Sequence, residues 1–221
     1  MNAPLVLGPG RSGEALAALA ADQVIAVPAD GGYLLALRHG TDGAEARLRA
    51  LGRDSIDRSP LHVVVGRREQ AVALASVWSD ETAHLTDRMW PGPLSIMVPS
   101  RSGDGDDGPV VSLTMPAARP LRLLCREGEP LTVGALRRPD GAPIVDPAEV
   151  GVRFTSSEVA LIVDGGICRG AGPTVVDCTT SPPVVRHVGA LPESYVDAAL
   201  MMGNRRRKWF ARRSRPDSPA R

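Results

Sequence analysis

Two hydrophobic periods alternate along the chain. Alanine and leucine recur at helical spacing from Glu14 to Asp22, and the β-branched run Val24 to Val27 then reads as a strand, the usual opening of an α/β domain. Asp42-x-x-Glu45 has capping-box spacing and predicts a helix to Leu51, and Leu61 to Val65 predicts a strand after Pro60. Helices over Glu69 to Ser76 and Glu81 to Met89 precede strands over Leu94 to Val98 and Val110 to Thr114. Between those strands, Ser100 to Pro109 is rich in glycine and aspartate and reads as an exposed loop, a poor place for catalysis. Asp146-Pro147-Ala148-Glu149 combines an N-cap, a first-turn proline and a glutamate at N3, so a short helix is predicted before a strand over Val159 to Val163. A last helix is predicted from Glu193 to Met202, and no internal repeat is visible.

With 221 residues, 43% of them hydrophobic, the chain can bury one α/β core without being split. No run approaches the roughly 18 apolar residues of a membrane helix, and the N-terminus lacks a basic region followed by an apolar core. A cytoplasmic protein with no transmembrane segment is therefore expected. Cys125, Cys168 and Cys178 lack C-x-x-C spacing and read as buried or inert thiols. His39, His62, His84 and His187 lack i, i+4 or H-x-H spacing, so no metal site is expected. The Ser-Gly pairs in Arg11-Ser12-Gly13 and Arg101-Ser102-Gly103 lack the setting of a nucleophile elbow, which argues against hydrolase chemistry.

Charge is distributed unevenly. Residues 203 to 221 hold eight basic groups against Asp217, or +7, whereas the whole chain is +1, so the body stands at about −6. The chain thus divides into a domain over 1–202 and a basic tail over 203–221, which reads as disordered. Arg205, Arg206, Arg207, Lys208, Arg212 and Arg213, interleaved with Trp209 and Phe210, can neutralise RNA phosphates while the aromatics stack on bases. An anionic membrane surface, the acidic body and bulk solvent are alternative destinations for the same tail.

Trp90-Pro91-Gly92-Pro93-Leu94-Ser95 encodes a rigid corner feeding a strand, because each proline fixes φ and removes an amide donor. This run resembles the Trp-Pro-Gly-Pro-Leu-Thr element of the YrdC-like threonylcarbamoyl-AMP synthase family. Three further stretches follow the family's order. Val24 to Tyr33 is similar to its strand running into Pro-Thr-Asp-Thr-Val-Tyr-Gly, matching at Pro28, Asp30 and Tyr33. Asp164 to Gly170 with Pro173-Thr174-Val175-Val176-Asp177 resembles its glycine-rich turn and Ser-Thr-Val-Val-Asp strand. Val184 to Ala190 resembles its closing Ile-Leu-Arg-x-Gly-Ala strand. The resemblance spans Val24 to Ala190 and implies a single YrdC-like domain, a twisted open mixed sheet flanked by helices.

The resemblance also implies a reaction in which threonine, bicarbonate and ATP, with Mg, give threonylcarbamoyl-AMP for tRNA modification. The family uses a Lys-x-Arg pair, a Ser-x-Asn turn, a strand arginine and the Pro-Thr-Asp-Thr loop. Here Lys208 is the only lysine, and Asn2 and Asn204 are the only asparagines. Lys-x-Arg falls on Arg53-Asp54-Ser55, the Ser-x-Asn turn on Val133 to Arg137, and the strand arginine on Thr114. The loop has Ala29 and Gly31 for the two threonines. Losing that set costs about three powers of ten in rate or affinity unless other residues substitute.

Pro28, Asp30, Tyr33, Arg53, Thr174, Asp177 and Arg186 remain as candidates for a nucleotide-binding concavity. Turn formation by Asp30, core packing by Tyr33 and an edge charge at Arg186 are equally consistent with the pattern. Three functions stay open. One is a degenerate homologue that binds nucleotide or RNA with weak or no catalysis. Another is an active synthase that has rebuilt its phosphate contacts from Arg53, Arg137 and Arg138. The third is an interaction module with a closed pocket.

Overall fold

The computed structural model describes residues 2–8, 10–52, 61–101 and 110–213, with side chains described as far as residue 203. Along the described chain the strands are β1 (Leu5–Leu7), β2 (Ile25–Ala29), β3 (Gly32–Arg38), β4 (His62–Val64), β5 (Leu94–Pro99), β6 (Val110–Thr114), β7 (Leu131–Ala135), β8 (Leu161–Val163), β9 (Thr174–Asp177) and β10 (Val184–His187). They form one sheet in the order β1-β8-β2-β3-β7-β4-β6-β5-β9-β10. It is mixed: β8 runs parallel to β1 and β2, β4 to β6 and β5 to β9, while the remaining neighbours are antiparallel. The helices are α1 (Ser12–Ala20), α2 (Ala44–Gly52), α3 (Arg68–Leu74), α4 (Asp80–Met89), α5 (Arg119–Glu127), α6 (Pro147–Arg153) and α7 (Glu193–Arg213).

The helices divide between the two faces of the sheet because successive strand residues point in opposite directions. On one face, Leu35, Leu37 and Ile162 pack beneath Leu48 of α2 and Val150 of α6. Val63, Ile96, Leu113 and Val176 continue that face beneath Ala71 of α3, Leu85 of α4 and Val196 of α7. On the other face, Ile25, Val27, Ala36 and Leu161 are covered by Ala15 and Leu19 of α1 and Leu121 and Leu124 of α5. Those two helices lean on the β1, β8, β2 and β3 half. Toward β4, β6, β5 and β9 the same face is concave and forms a cleft.

The predicted helix start at Asp146 is present, its carboxylate accepting from the Ala148 amide at 2.8 Å. α2 begins at Ala44, two positions inside the expected cap, and Glu45 pairs with Arg49 at 2.8 Å. α7 continues past Met202 through the backbone of the basic segment as far as Arg213. One expectation is corrected: Val133 to Ala135 is strand, each residue in register with β3, and the turn comes later, where Arg137 bridges Pro143. Of the expected Ser100 to Pro109 loop, only Ser100 and Arg101 lie among the described residues. No described helix is long and apolar enough to cross a membrane.

Candidate functional site

The cleft encloses about 500 Å³. Its floor follows the strand order, with Leu34 from β3, Ala135 and Val133 from β7, His62 and Val64 from β4, Thr114 from β6, Met97 from β5 and Val175 from β9. Arg186 and His187 of β10 stand at one end, and the β2–β3 turn with Arg137 and Pro143 at the other.

That turn is held by backbone against backbone. Asp30 and Gly31 join Ala29 to Gly32, which face each other in the β2–β3 ladder. A Cβ on Gly31 would lie 2.6 Å from the Gly172 nitrogen, and one on Gly32 would lie 2.9 Å from the Ile144 oxygen. No side chain fits at Gly31 unless Gly172 moves, so a threonine at that position is incompatible with this backbone. Asp30 lines the cleft and accepts a hydrogen bond from the Ala117 amide at 3.2 Å.

Several sequence candidates turn out to be fastenings. The Tyr33 hydroxyl donates to the Gly166 carbonyl at 3.0 Å and accepts from the Gly165 amide at 3.2 Å, pinning the glycine-rich turn to β3. Burial pushes that phenol up to about 12. Pro28 is buried behind it, close to where a Gly165 Cβ would stand. Thr174 donates to the Leu191 carbonyl at 2.7 Å and accepts from the Gly189 and Leu191 amides at 2.9 and 3.0 Å. Its hydroxyl is thereby fully used. Asp177 accepts from Thr179 and from two Arg186 nitrogens, at 2.7 and 3.0 Å. Burial pushes its carboxyl up, but the Thr179 and Arg186 hydrogen bonds outweigh that and hold it below the ordinary range. Arg186 both lines the cleft and is countered by Asp177.

The structure therefore brings Asp30, Tyr33 and Arg186 to one cavity, whose lining includes neither Thr174 nor Asp177. Arg53 lies outside the described residues, as do the side chains of Arg205, Arg206, Arg207, Lys208, Trp209, Arg212 and Arg213. Arg138, a candidate phosphate contact from the sequence, pairs instead with Glu149 of α6 at 2.6 Å, and the cleft lining does not include it. Thr114 does line the cleft, and its hydroxyl donates to the Leu94 carbonyl at 3.1 Å. Sequence reasoning missed His62, whose Nδ1 lies 2.8 Å from Ser112 Oγ. Period-two alternation with Val64 was the available signal, since it places both side chains on one face of β4.

A mixed sheet with helices across one face and half of the other, and a polar-edged cleft in the uncovered half, defines an α/β domain with one open concave face. The Sua5/YciO/YrdC family model, described as telomere recombination, matches residues 17–188. The chain belongs to that family. It is 31% identical over 203 residues to a putative threonylcarbamoyl-AMP synthase of Mycobacterium tuberculosis, covering 86% of this chain and 91% of the relative. It is 28% identical over 188 residues to the threonylcarbamoyl-AMP synthase of Pyrococcus abyssi, covering 80% of this chain but only 54% of that relative. Among solved structures, P. abyssi Sua5 complexed with L-threonine superposes with a TM-score of 0.74 at 23% identity, covering 88% of this chain and 60% of that one. Escherichia coli YciO gives 0.71 at 22% identity, covering 87% and 98%. These likenesses bear out the family resemblance and the mixed-sheet fold.

Proposed function

We propose that this chain is a YrdC-like domain that binds a nucleotide in its cleft and has weak or no threonylcarbamoyl-AMP synthesis. The observation that carries this proposal is the approach of Gly31 to Gly172. A cleft of nucleotide size persists, at about 500 Å³, yet its backbone leaves no room for the second threonine of the loop that the family resemblance implies. The absence of any lysine or asparagine between Asn2 and Asn204 points the same way, because a site that displaces pyrophosphate must neutralise and align a triphosphate. ATP, carrying Mg²⁺, is the first ligand to test. Contact with tRNA or another RNA through the tail beyond Gly203, in the cytoplasm where both occur, belongs to the same proposal.

The test is calorimetric titration with ATP together with an assay for pyrophosphate and threonylcarbamoyl-AMP, beside an intact relative. Saturable ATP binding without turnover is the expected result. Turnover within about tenfold of the relative would overturn the loss of catalysis. No binding of ATP would leave an interaction module.

A further inference from the structure

Away from the cleft, α7 presents a surface of its own. Val196 and Ala199 bury one side of this helix in the core cluster that holds Leu85 of α4. Next to that side runs a second apolar stripe. Tyr195, Ala198 and Met202 stand at i, i+3 and i+7, with Met201 adjoining, a spacing that puts them on one face. The face is turned to solvent: Tyr195 is 54% exposed, Met201 67% and Met202 50%, and Ala198 is exposed beside them. An aromatic ring and two thioethers in water on one helix face call for a partner.

Charge on the same helix indicates which partner. Its backbone continues through the basic segment to Arg213, whose sequence holds Arg205, Arg206, Arg207, Lys208, Arg212 and Arg213. Arg205 follows Tyr195 by ten positions, about 15 Å along the axis. Glu193 and Asp197 occupy another side, because each residue turns the helix by about 100° and Asp197 stands about 200° round from Tyr195. An anion can therefore reach Tyr195 without meeting either carboxylate. A lipid surface asks for a broad, strongly apolar face, whereas this stripe is narrow and shares its side with exposed Ser194. A polyanion carrying flat bases fits both parts, its phosphates on the cationic segment and its bases on the ring and thioethers.

We infer that the exposed face of α7 is a base-stacking platform for single-stranded RNA, with Tyr195 as its aromatic anchor and Met201 and Met202 beside it. This deepens the RNA part of the proposed function and rests on it for the phosphate contacts. Only unpaired bases can lie on such a face. In a duplex the flat faces are taken by neighbouring bases, and a helix standing outside meets phosphate and sugar. The stripe therefore selects strands, loops and ends over duplex, while the basic segment supplies the attraction common to both.

The experiment titrates the full chain, by fluorescence anisotropy over a salt series, with a labelled unstructured RNA strand of about 12 nucleotides and with a duplex of the same length. Wild type is compared with Tyr195→Ala, Tyr195→Phe and Met202→Ala. These are surface changes, so their thermal melts should match that of wild type. Tyr195→Ala should weaken strand binding about tenfold and Met202→Ala about threefold, while Tyr195→Phe keeps the ring and the affinity. The slope of log affinity against log salt should stay that of wild type, since no phosphate contact is lost, and duplex binding should not change. Strand binding unaltered in Tyr195→Ala, or strand and duplex weakened alike, would overturn the platform and leave the RNA contact of the basic segment intact. A shallower salt slope in Tyr195→Ala would also overturn it, by making the tyrosine a support for phosphate contacts. No RNA binding by wild type would sink this inference and the RNA part of the proposed function together, and Tyr195-dependent binding to phosphatidylserine vesicles would then give the face to a lipid surface.

Discussion

Two hydroxyls tie the rim of the cleft together, and they make separable predictions. An unfolded tyrosine ionises near 10, whereas Tyr33 in the fold waits until about 12. Between those values the unfolded chain gives up a proton that the native chain keeps, so stability is intact below the window and is lost as pH rises through it. Urea titrations from pH 9 to 12 should show that decline, and Tyr33→Phe should flatten part of it. Further parts belong to the thiols of Cys125 and Cys178, pushed up by burial to about 12 and about 11, and to that of Cys168, which burial also raises. Thr174→Val keeps the shape but strands the Gly189 and Leu191 amides. A loss of about 2 to 4 kcal/mol in urea unfolding is expected, and an unchanged midpoint would show that water takes over. Pro28, Asp30 and Tyr33 are legible as a motif, but the task of Tyr33 is not. Its partner Gly166 lies 133 positions away, and no local pattern reaches that far.

At the level of elements, legibility follows the clarity of the period. β5 and β6 stand within a residue of their expected bounds because their apolar runs are framed by proline, glycine and aspartate. β3 escapes a reading by period because Tyr33 to Leu37 is a continuous apolar run, which helix and buried strand share. The burial of its Leu35, Ala36 and Leu37 on both faces explains that composition. α5 carries a usable signal, Leu121, Leu124 and Cys125 at helical spacing, obscured by arginines and by Pro120 in its first turn. β7 reads as a turn when Gly134 and Ala135 are compared with a polar motif rather than weighed as a strand. In the fold, Gly134 faces Leu35 of β3. The cleft's edge depends on how closely such elements approach. Gly31→Ala should therefore displace Gly172, cost about 1 to 3 kcal/mol and weaken ATP binding, measured by thermal melt and calorimetry. Tight binding retained in that variant would mean that the rim yields.

Over the whole molecule, charge and packing part company at Gly203. Val196 and Ala199 of α7 are buried against the body, and the place of a Gly203 Cβ is 3.0 Å from the His84 ring. Removing residues 204–221 should therefore leave the melting temperature and ATP affinity unchanged while abolishing salt-sensitive RNA binding. Gel-shift titration over a salt series would check this, since every phosphate the tail no longer neutralises lowers the slope of log affinity against log salt by about 0.7 to 0.9. RNA affinity undiminished by truncation would move that interaction to the body. The glycine-to-backbone approaches around the cleft have a broader consequence. Gly31 on Gly172, Gly170 on Asp30 and Gly189 on Pro173 set the outline of the cavity without using a side chain, whereas its polarity resides in side chains standing on strands. Vessel and contents are thus specified by different atoms. The floor can exchange one chemistry for another while the container keeps its form.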